Sequence, residues 1–580
     1  MCDSTHNHNH VHDHNHEHQH QETLNIEELS GDARTFELTR RSVMQALGLG
    51  ALSSVFAPLG AAPAGAADMG LTPKTVNPWK PYRYQLAGDH HIHTTYSRDA
   101  MYEVKTQVGN AEKNGLDWMV ITDHGATAHQ KISIDKITPD IKAARRSSKV
   151  KIYQGLEWNI PGGEHATVIL PPTAATVGIL KEFELLFDGQ VLADGKKVKS
   201  STSADGEPYA VKGLQYLGDK VSRGVIPAAL MFANHPARRG LDSPHEVRAW
   251  RDAYPGIAVG WEGAPGHQIA AHPDVQAAVA ASGSTAINGR GYYDYSPQPD
   301  SFPGYAPTAT ENPYRTYGGF DWYTSRVGGL WDSLLAEGKP WWITANSDSH
   351  QNFGDTLIGA HLTKSGAVDS AYYNLNGWYE APINSGKPNY TYGDFAPGAY
   401  SSTIVSSQIN SYRGIMAALS AGNMTTVHGG LISGAEVRVF TDTDKRGVTI
   451  GGRTVARKGD NVTASITITL ASLPNGSGSI PKLKNVQLIS GPVTGPVKDA
   501  DTMYAPQTKI TQSYDVKSSS DVVTFEYTWR NVQQPFYLRY RGTDGNRVDS
   551  SGNPLMDVMG NANPWLDLWF YTNPTFVDLI

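Results

Sequence analysis

Side chains that bind divalent metals occur in seven short fragments scattered between residues 91 and 350. Imidazole nitrogen and carboxylate oxygen are the ligand types suited to zinc, manganese or iron(II). A single tetrahedral ion cannot use nine such groups, so the set predicts a site for two or three divalent metal ions. The predicted metal ligands are His91, His93, Asp99, His124, Glu157, His165, His235, Asp348 and His350.

Most of these ligands follow a segment with the pattern of a buried strand. Because strand side chains alternate, His91 and His93 should share one face, while His90 points to the other and packs there. Strands that alternate with helical stretches predict a parallel β/α arrangement, and such barrels carry their active sites at the carboxyl ends of the strands. The predicted strands cover residues 84–89, 116–121, 149–155, 224–233 and 340–345.

The order and spacing of the ligands resemble the polymerase and histidinol phosphatase (PHP) superfamily of metal-dependent phosphoesterases. The resemblance covers roughly residues 84 to 365 and implies an α/β fold, a distorted (β/α)7 barrel that holds three metals with Glu157 as the bridging acid. Some members carry histidine where this chain has Asp99, and an oxygen donor there slightly favours manganese or iron over zinc. The matching motifs are Asp89-His90-His91-Ile92-His93-Thr94, Ile121-Thr122-Asp123-His124, Gly155-Leu156-Glu157, Gly163-Glu164-His165, Asn234-His235-Pro236 and Asp348-Ser349-His350.

The predicted activity is hydrolysis of a phosphoester bond, as a phosphodiesterase or phosphomonoesterase, through a metal-bridging hydroxide. The predicted catalytic residues are Glu157, Asp348 and Arg238. Arg238 and Arg239 follow His235 closely enough for at least one guanidinium to bind a phosphoryl oxygen, whereas a surface salt bridge is the favoured role of Arg239.

Two other function classes stay open. Residues 423–430 and 569–574 look like those of exported PHP metallohydrolases grouped with carbaryl hydrolases, which makes a carbamate or carboxylic ester hydrolase the alternative. A non-catalytic metal-binding protein is disfavoured, because storage does not need ligands gathered at strand ends. The formal charge of −7 without a basic cluster excludes a nucleic-acid polymer as the main partner and favours a small-molecule substrate.

The amino-terminal segments indicate where in the cell the protein is expected to be located. Residues 1–38 are a histidine-rich leader, predicted to be disordered and native rather than an expression tag. Residues 39–66, with Arg40-Arg41 and a small-residue cleavage site, resemble a twin-arginine signal peptide whose apolar stretch is too short for a stable membrane span. This predicts export to the periplasm or medium through the twin-arginine (Tat) machinery, with metals loaded beforehand in the cytoplasm.

Length and periodicity predict two folded regions after the signal. Residues 67–430 form the predicted barrel, with insertions at 171–223 and 286–324; Asp188–Asp205 should be an exposed hairpin or loop. The aromatic residues of 286–324 either wall a substrate cleft or pack in the core. Residues 431–580 contain alternating strands such as 462–470 and 523–529, which predict a β-sandwich. Cys2, the only cysteine, lies in the leader, so neither disulfides nor a thiol nucleophile are expected.

Overall fold

The computed structural model describes residues 81–199, 204–266, 277, 281, 301–302, 316–360, 369–388, 394–517, 520–557 and 563–580. The predicted leader (1–38) and twin-arginine segment (39–66) lie outside these residues, as does most of 286–324. Residues 69–580 belong to one compact unit. Among the described residues, no helix is both long and apolar enough to cross a membrane.

Ten α-helices and twenty-two strands are seen in the described ranges. The helices are α1 (Val104–Lys113), α2 (Ile134–Ser147), α3 (Thr176–Phe187), α4 (Gly189–Asp194), α5 (Glu207–Ser222), α6 (Pro244–Ala253), α7 (Trp322–Ser325), α8 (Leu330–Ala336), α9 (Ser370–Asn376) and α10 (Tyr412–Ala421). The strands are β1 (Tyr84–Asp89), β2 (Trp118–Ile121), β3 (Lys151–Asn159), β4 (His165–Ile169), β5 (Leu230–Asn234), β6 (Ala258–Ala264), β7 (Thr316–Tyr317), β8 (Phe320–Asp321), β9 (Trp342–Ala345), β10 (Leu357–Ile358), β11 (Ile383–Asn384), β12 (Ser401–Ser407), β13 (Met424–His428), β14 (Ile432–Thr441), β15 (Arg453–Ala456), β16 (Val462–Leu470), β17 (Asn485–Pro492), β18 (Lys509–Asp515), β19 (Val522–Trp529), β20 (Phe536–Thr543), β21 (Trp569–Thr572) and β22 (Thr575–Leu579).

The protein is a mixed α/β protein with a central sheet rich in parallel pairs. Seven strands lie side by side in the order β1-β2-β3-β4-β5-β6-β9. Only β4 runs antiparallel to its neighbours, so β1, β2, β3, β5, β6 and β9 all run in one direction. The five segments predicted to be strands therefore form parallel strands, and their carboxyl ends meet at one edge of the sheet.

The predicted distorted (β/α)7 barrel is not confirmed, because the ladder of strand pairs is open between β9 and β1. The edge of β1 that faces away from β2 pairs with the antiparallel strand β12. Backbone groups of β9 are bound by side chains instead of by a strand: the Ala345 amide donates to Thr403 Oγ1 and the Ile343 amide to Asn573 Oδ1, both at 2.8 Å. One isolated bridge, Ile92 to Ser349, joins the two ends beyond the strands.

An independent C-terminal β-sandwich is likewise not confirmed. Strands β14, β16 and β19 form a separate three-stranded sheet, which shares an apolar cluster with β17, β20 and β21. Those strands, however, continue the central sheet, because β21 pairs with β13 and β13 with β12. The alternation of apolar and polar residues identified the strands, but not the sheet that each joins. The proposed domain boundaries at 67–430 and 431–580 stay predictions.

Helices, rather than an exposed hairpin or loop, occupy most of the described insertion 171–223. The prediction for Asp188–Asp205 is wrong over α4, because the buried Asp188 side chain caps this helix by accepting from the Gln190 and Val191 amides. Leu180 and Phe183 of α3 are fully buried, each contributing about 1.5–3 kcal/mol. Phe320 and Tyr323, which belong to the second insertion, are also buried, so packing is their role.

Candidate metal centre

All nine predicted ligands come together at the carboxyl edge of the central sheet. His91 and His93 follow β1, His124 follows β2, His235 follows β5, and Asp348 and His350 follow β9, while Asp99 lies in the loop before α1. Glu157 lies within β3. His165 reaches the same edge because β4 is antiparallel: His165, its first residue, pairs with Asn159 of β3 and with Asn234 of β5.

The Glu157 carboxylate lies at the centre of the cluster and divides the histidines into two groups. Its Oε1 atom is 3.0 Å from His91 Nε2, 3.1 Å from His165 Nδ1 and 3.3 Å from His235 Nε2. Its Oε2 atom is 2.7 Å from His124 Nδ1 and 3.3 Å from His93 Nε2. Each oxygen of Glu157 thus faces its own histidines, so this carboxylate could contribute to more than one metal site.

Two aspartates also belong to the cluster. Asp348 contacts one histidine of each group, and Asp99 forms a third group with His124 and His350. Asp348 Oδ1 lies 3.1 Å from His91 Nε2 and 3.2 Å from His93 Nε2. Asp99 faces His124 Nε2 at 3.3 Å and His350 Nε2 at 3.6 Å. Sets of three donors close enough to share an ion include His91–His93–Glu157, His124–Glu157–His165 and His93–His124–His350. The cluster therefore offers several overlapping sets of donors that could hold a metal ion.

The charges of the cluster fit divalent metals. Burial alone would raise the pKa of Glu157, but His91, His165 and His124 hold it well below its usual range. Burial, together with the charges of His350 and His124, lowers the pKa of His93 well below its ordinary value. Burial lowers the pKa values of His91 and His124 too, but neighbouring carboxylates outweigh it and raise the pKa of His91 well above its ordinary value and that of His124 to about 9. Metal binding requires neutral imidazoles, so ions would displace protons from these two histidines. His93 Nε2 and Glu157 Oε2 are buried and face each other at 3.3 Å without a hydrogen bond of ordinary geometry in the described residues, as two ligands of one ion would.

Backbone strain coincides with two of the ligands. In the described residues, four non-glycine residues have a positive φ, and His235 (32°) and Asp348 (48°) are two of them. Such conformations cost about 1–3 kcal/mol each and persist where the surroundings enforce them. The strain directs both side chains into the cluster immediately after their strands end.

Several buried residues orient the ligands. The Asp123 carboxylate accepts from the Thr94 amide and from Ser97 Oγ, which contacts His93 Nδ1 at 2.9 Å. His90 packs below the site, as predicted, stacked on Phe232 and bonded to Thr344.

Sequence reasoning missed Glu262 and Asn234. Glu262 Oε1 lies 2.7 Å from His91 Nδ1, and its Oε2 accepts from the His235 amide at 2.8 Å. The Asn234 amide donates to Glu157 Oε1 at 3.0 Å. Asn234 directly precedes the predicted ligand His235 in the sequence, and this position could have indicated its role. A carboxylate inside the apolar strand β6 was the only local signal for Glu262.

Glu262 gives a testable prediction, because a carboxylate that orients a metal-binding histidine supports metal affinity. Glu262→Gln should weaken the binding of the ion held by His91 by about 10- to 100-fold. Competition with a chromogenic chelator measures this affinity. Glu380→Gln, at an exposed position, is the matched control and should leave it unchanged. Equal affinities in the two variants would contradict the role of Glu262.

Arg238 and Arg239 lie beside the cluster and share one carboxylate. Arg238 is buried and donates from Nη2 to Glu164 Oε2 at 2.8 Å. Arg239 Nε lies 3.3 Å from Glu164 Oε1, so the predicted salt bridge of this residue is present and its partner is buried. Glu164, which sequence reasoning did not select, precedes His165.

The similarity of this chain to known proteins is limited. No curated protein matches the chain. A solved structure from Bifidobacterium adolescentis, described provisionally as a metal-dependent phosphoesterase, is 17% identical, with a TM-score of 0.14. The match covers 29% of this chain and 63% of that one, so this chain spans less than two thirds of the neighbour's length.

A family model described as the PHP domain matches residues 89–203. The matched range contains six of the nine ligands: His91, His93, Asp99, His124, Glu157 and His165. His235, Asp348 and His350 come from the strands that follow and complete the same cluster. The chain therefore carries a PHP domain.

Proposed function

We propose that this protein is an exported, metal-dependent hydrolase that cleaves phosphoester bonds of small substrates. The convergence of nine histidine and carboxylate side chains around Glu157, in a chain with a PHP domain, carries the proposal. Ions held there would lower the pKa of water and neutralise phosphoryl oxygens. Nothing in the described structure specifically favours the carbamate or carboxylic ester alternative.

The chain's own residues define where the substrate approaches. Most ligands are almost fully buried, but the Asp99 side chain is 27% exposed and that of His165 18%. The open face of the cluster therefore lies on the Asp99 and His165 side. Arg238 stands next to His165 and His235, where its guanidinium can bind a phosphoryl oxygen and orient the phosphorus atom. Glu157 and Asp348 would hold the ions on the opposite, closed side.

Hydrolysis of defined esters tests this function. The full chain, loaded with manganese, iron or zinc, should hydrolyse p-nitrophenyl phosphate or bis-p-nitrophenyl phosphate, and dialysis against a chelator should abolish turnover because the ligands alone supply no nucleophile. Activity confined to a naphthyl carbamate would refute the proposal and support the alternative. Hydrolysis that survives chelation would refute the metal mechanism.

We also propose that the chain is exported to the periplasm or medium through the twin-arginine machinery. The support is the Arg40-Arg41 pair before an apolar stretch and the small-residue run that follows it. In a host with this machinery, Arg40→Lys combined with Arg41→Lys should retain the protein in the cytoplasmic fraction, whereas the control Arg34→Lys should not. Equal export of both variants would contradict the proposal.

A further inference from the structure

Three side chains that could bind a metal ion lie together outside the Glu157 cluster. One ring nitrogen of His245 and one carboxylate oxygen each of Glu207 and Glu246 all lie within 4.8 Å of one another. Glu207 is the first residue of α5, whereas His245 and Glu246 lie in the first turn of α6. The beginnings of two different helices therefore bring these three donors to one place.

Glu246 is a buried carboxylate with one oxygen that the helix cap does not use. Its Oε2 atom accepts from the Ser243 amide at 2.8 Å and from Ser243 Oγ at 2.7 Å, which caps α6. The residue is only 8% exposed, and its Oε1 atom has no hydrogen bond to any residue that the structure describes. Because an unpaired oxygen on a buried carboxylate is unfavourable, this position favours a cation.

His245 is oriented in the way that is usual for a metal-binding histidine. Its Nδ1 atom lies 2.7 Å from Asp501 Oδ1, so the hydrogen of this nitrogen is directed to a carboxylate. Ser243 Oγ lies 3.0 Å from Nδ1 and 3.3 Å from Nε2, but it donates its hydrogen to Glu246 Oε2. The lone pair of His245 Nε2 therefore has no donor among the described residues and can bind an ion.

The charges of this group also favour a cation. Three carboxylates, those of Glu207, Glu246 and Asp501, surround one imidazole, and the Glu207 carboxylate has no hydrogen bond or ion pair within the described part of the chain. Burial raises the pKa of Glu246, and the charge of Glu207 raises it further. The amino ends of α5 and α6 oppose a cation with about half a positive charge each. The full negative charges of the carboxylates outweigh this effect.

We propose that Glu207, His245 and Glu246 bind a divalent cation of the zinc or manganese type, which fastens the start of α5 to the start of α6. Imidazole nitrogen and carboxylate oxygen suit such ions. Two donors of one zinc ion stand about 3.4 Å apart, so three donors within 4.8 Å of one another need to approach by about an ångström. The exposed part of the His245 side chain, 41%, leaves room for this shift.

This α5–α6 site supports the loop that leads to the ligand His165. The start of α5 lies against this loop, where a side chain at Gly206 would come within 2.6 Å of the Gly162 amide nitrogen. The start of α6 is held to the same loop, since Asp242 Oδ1 accepts from the Glu164 amide at 2.8 Å. An ion that joins both helix starts is therefore structural: it stabilises the surroundings of this loop and takes no part in the reaction.

Metal content at controlled concentrations of free zinc tests the inference. The full chain, equilibrated with zinc in a chelator buffer, should hold one ion more than the double variant Glu207→Gln with His245→Asn, because both proteins keep the Glu157 cluster. Asp501→Asn should weaken the binding of this ion about 10- to 100-fold, the effect of removing a carboxylate that orients a metal ligand. Glu380→Gln and Asp521→Asn, at exposed positions, are the controls and should bind zinc as the wild type does.

Hydrogen exchange shows where the ion binds. Zinc should slow amide exchange in the first turns of α5 and α6 in the wild type and in Glu157→Gln, but not in the double variant. Glu207→Gln alone removes no hydrogen bond of the described structure, so it should fold even if the double variant does not, and it should also bind less zinc.

Equal zinc content and equal protection in the wild type and Glu207→Gln at every zinc concentration would overturn the inference. Protection of α5 and α6 that is lost in Glu157→Gln would overturn it as well, because the ion would then belong to the Glu157 cluster. None of these measurements depends on hydrolysis, so failure of the proposed function would leave the result of this test unchanged.

Discussion

Glu157→Gln is expected to lower turnover about 10³-fold or more, which corresponds to roughly 4 kcal/mol of transition-state stabilisation. The reason is geometric. Glu157 faces five imidazoles with its two oxygens and contacts both groups of histidines, which Asp348 Oδ1 also joins through His91 and His93. Glutamine keeps the size of the side chain but replaces one oxygen by an amide nitrogen that cannot bind a metal ion, and it removes the negative charge.

Metal content shows whether the loss has this cause. Elemental analysis of the purified Glu157→Gln protein should find at least one metal ion fewer per chain than in the wild type, and steady-state kinetics give the loss of turnover. Glu380→Gln makes the same chemical change at an exposed position and should alter neither value. Full metal content together with near-normal turnover in Glu157→Gln would contradict the bridging role.

Arg539→Met should be the most destabilising substitution in the C-terminal part of the chain. Arg539 of β20 and Asp332 of α8 form a fully buried, two-pronged ion pair, with Nε–Oδ1 at 3.0 Å and Nη2–Oδ2 at 2.8 Å. The guanidinium also lies over the Trp331 ring, 4.4 Å from its centroid. Removing one partner leaves a buried, unpaired charge, at a cost of about 3–5 kcal/mol in the free energy of unfolding.

Urea unfolding followed by tryptophan fluorescence measures this effect. The midpoint for Arg539→Met should fall well below that for Arg530→Met, since Arg530 is exposed. The double variant Asp332→Leu with Arg539→Met should recover much of the loss, because it removes both charges. If Arg539→Met and Arg530→Met unfold at the same urea concentration, the ion pair does not hold α8 to β20.

Much of the candidate site could be predicted from the sequence. The H-x-H and D-x-H spacings and the apolar runs before them are local patterns, and they placed most of the ligands at one edge of a parallel sheet. Asp99 and His165 came from the resemblance to the PHP motifs. The antiparallel strand β4 was not anticipated, whereas His165 was, because Gly163-Glu164-His165 matches a motif of the PHP superfamily. The structure does not confirm the predicted barrel or a separate C-terminal β-sandwich. These depend on which edges pair, as with β12 on β1, and apolar alternation carries no information about partners.

The sequence by itself therefore determined which histidine and carboxylate side chains are available as metal donors and that most of them end strands, since both follow from residue types and from strand periods that act over a few residues. The tertiary structure alone decided how the two oxygens of Glu157 divide the histidines, that Glu262 supports His91 and His235, and that Glu164 holds two arginines. These contacts join residues far apart in the chain, and their distances follow from the packing of whole strands and helices. Such packing results from many weak interactions summed over the molecule, which no local segment specifies.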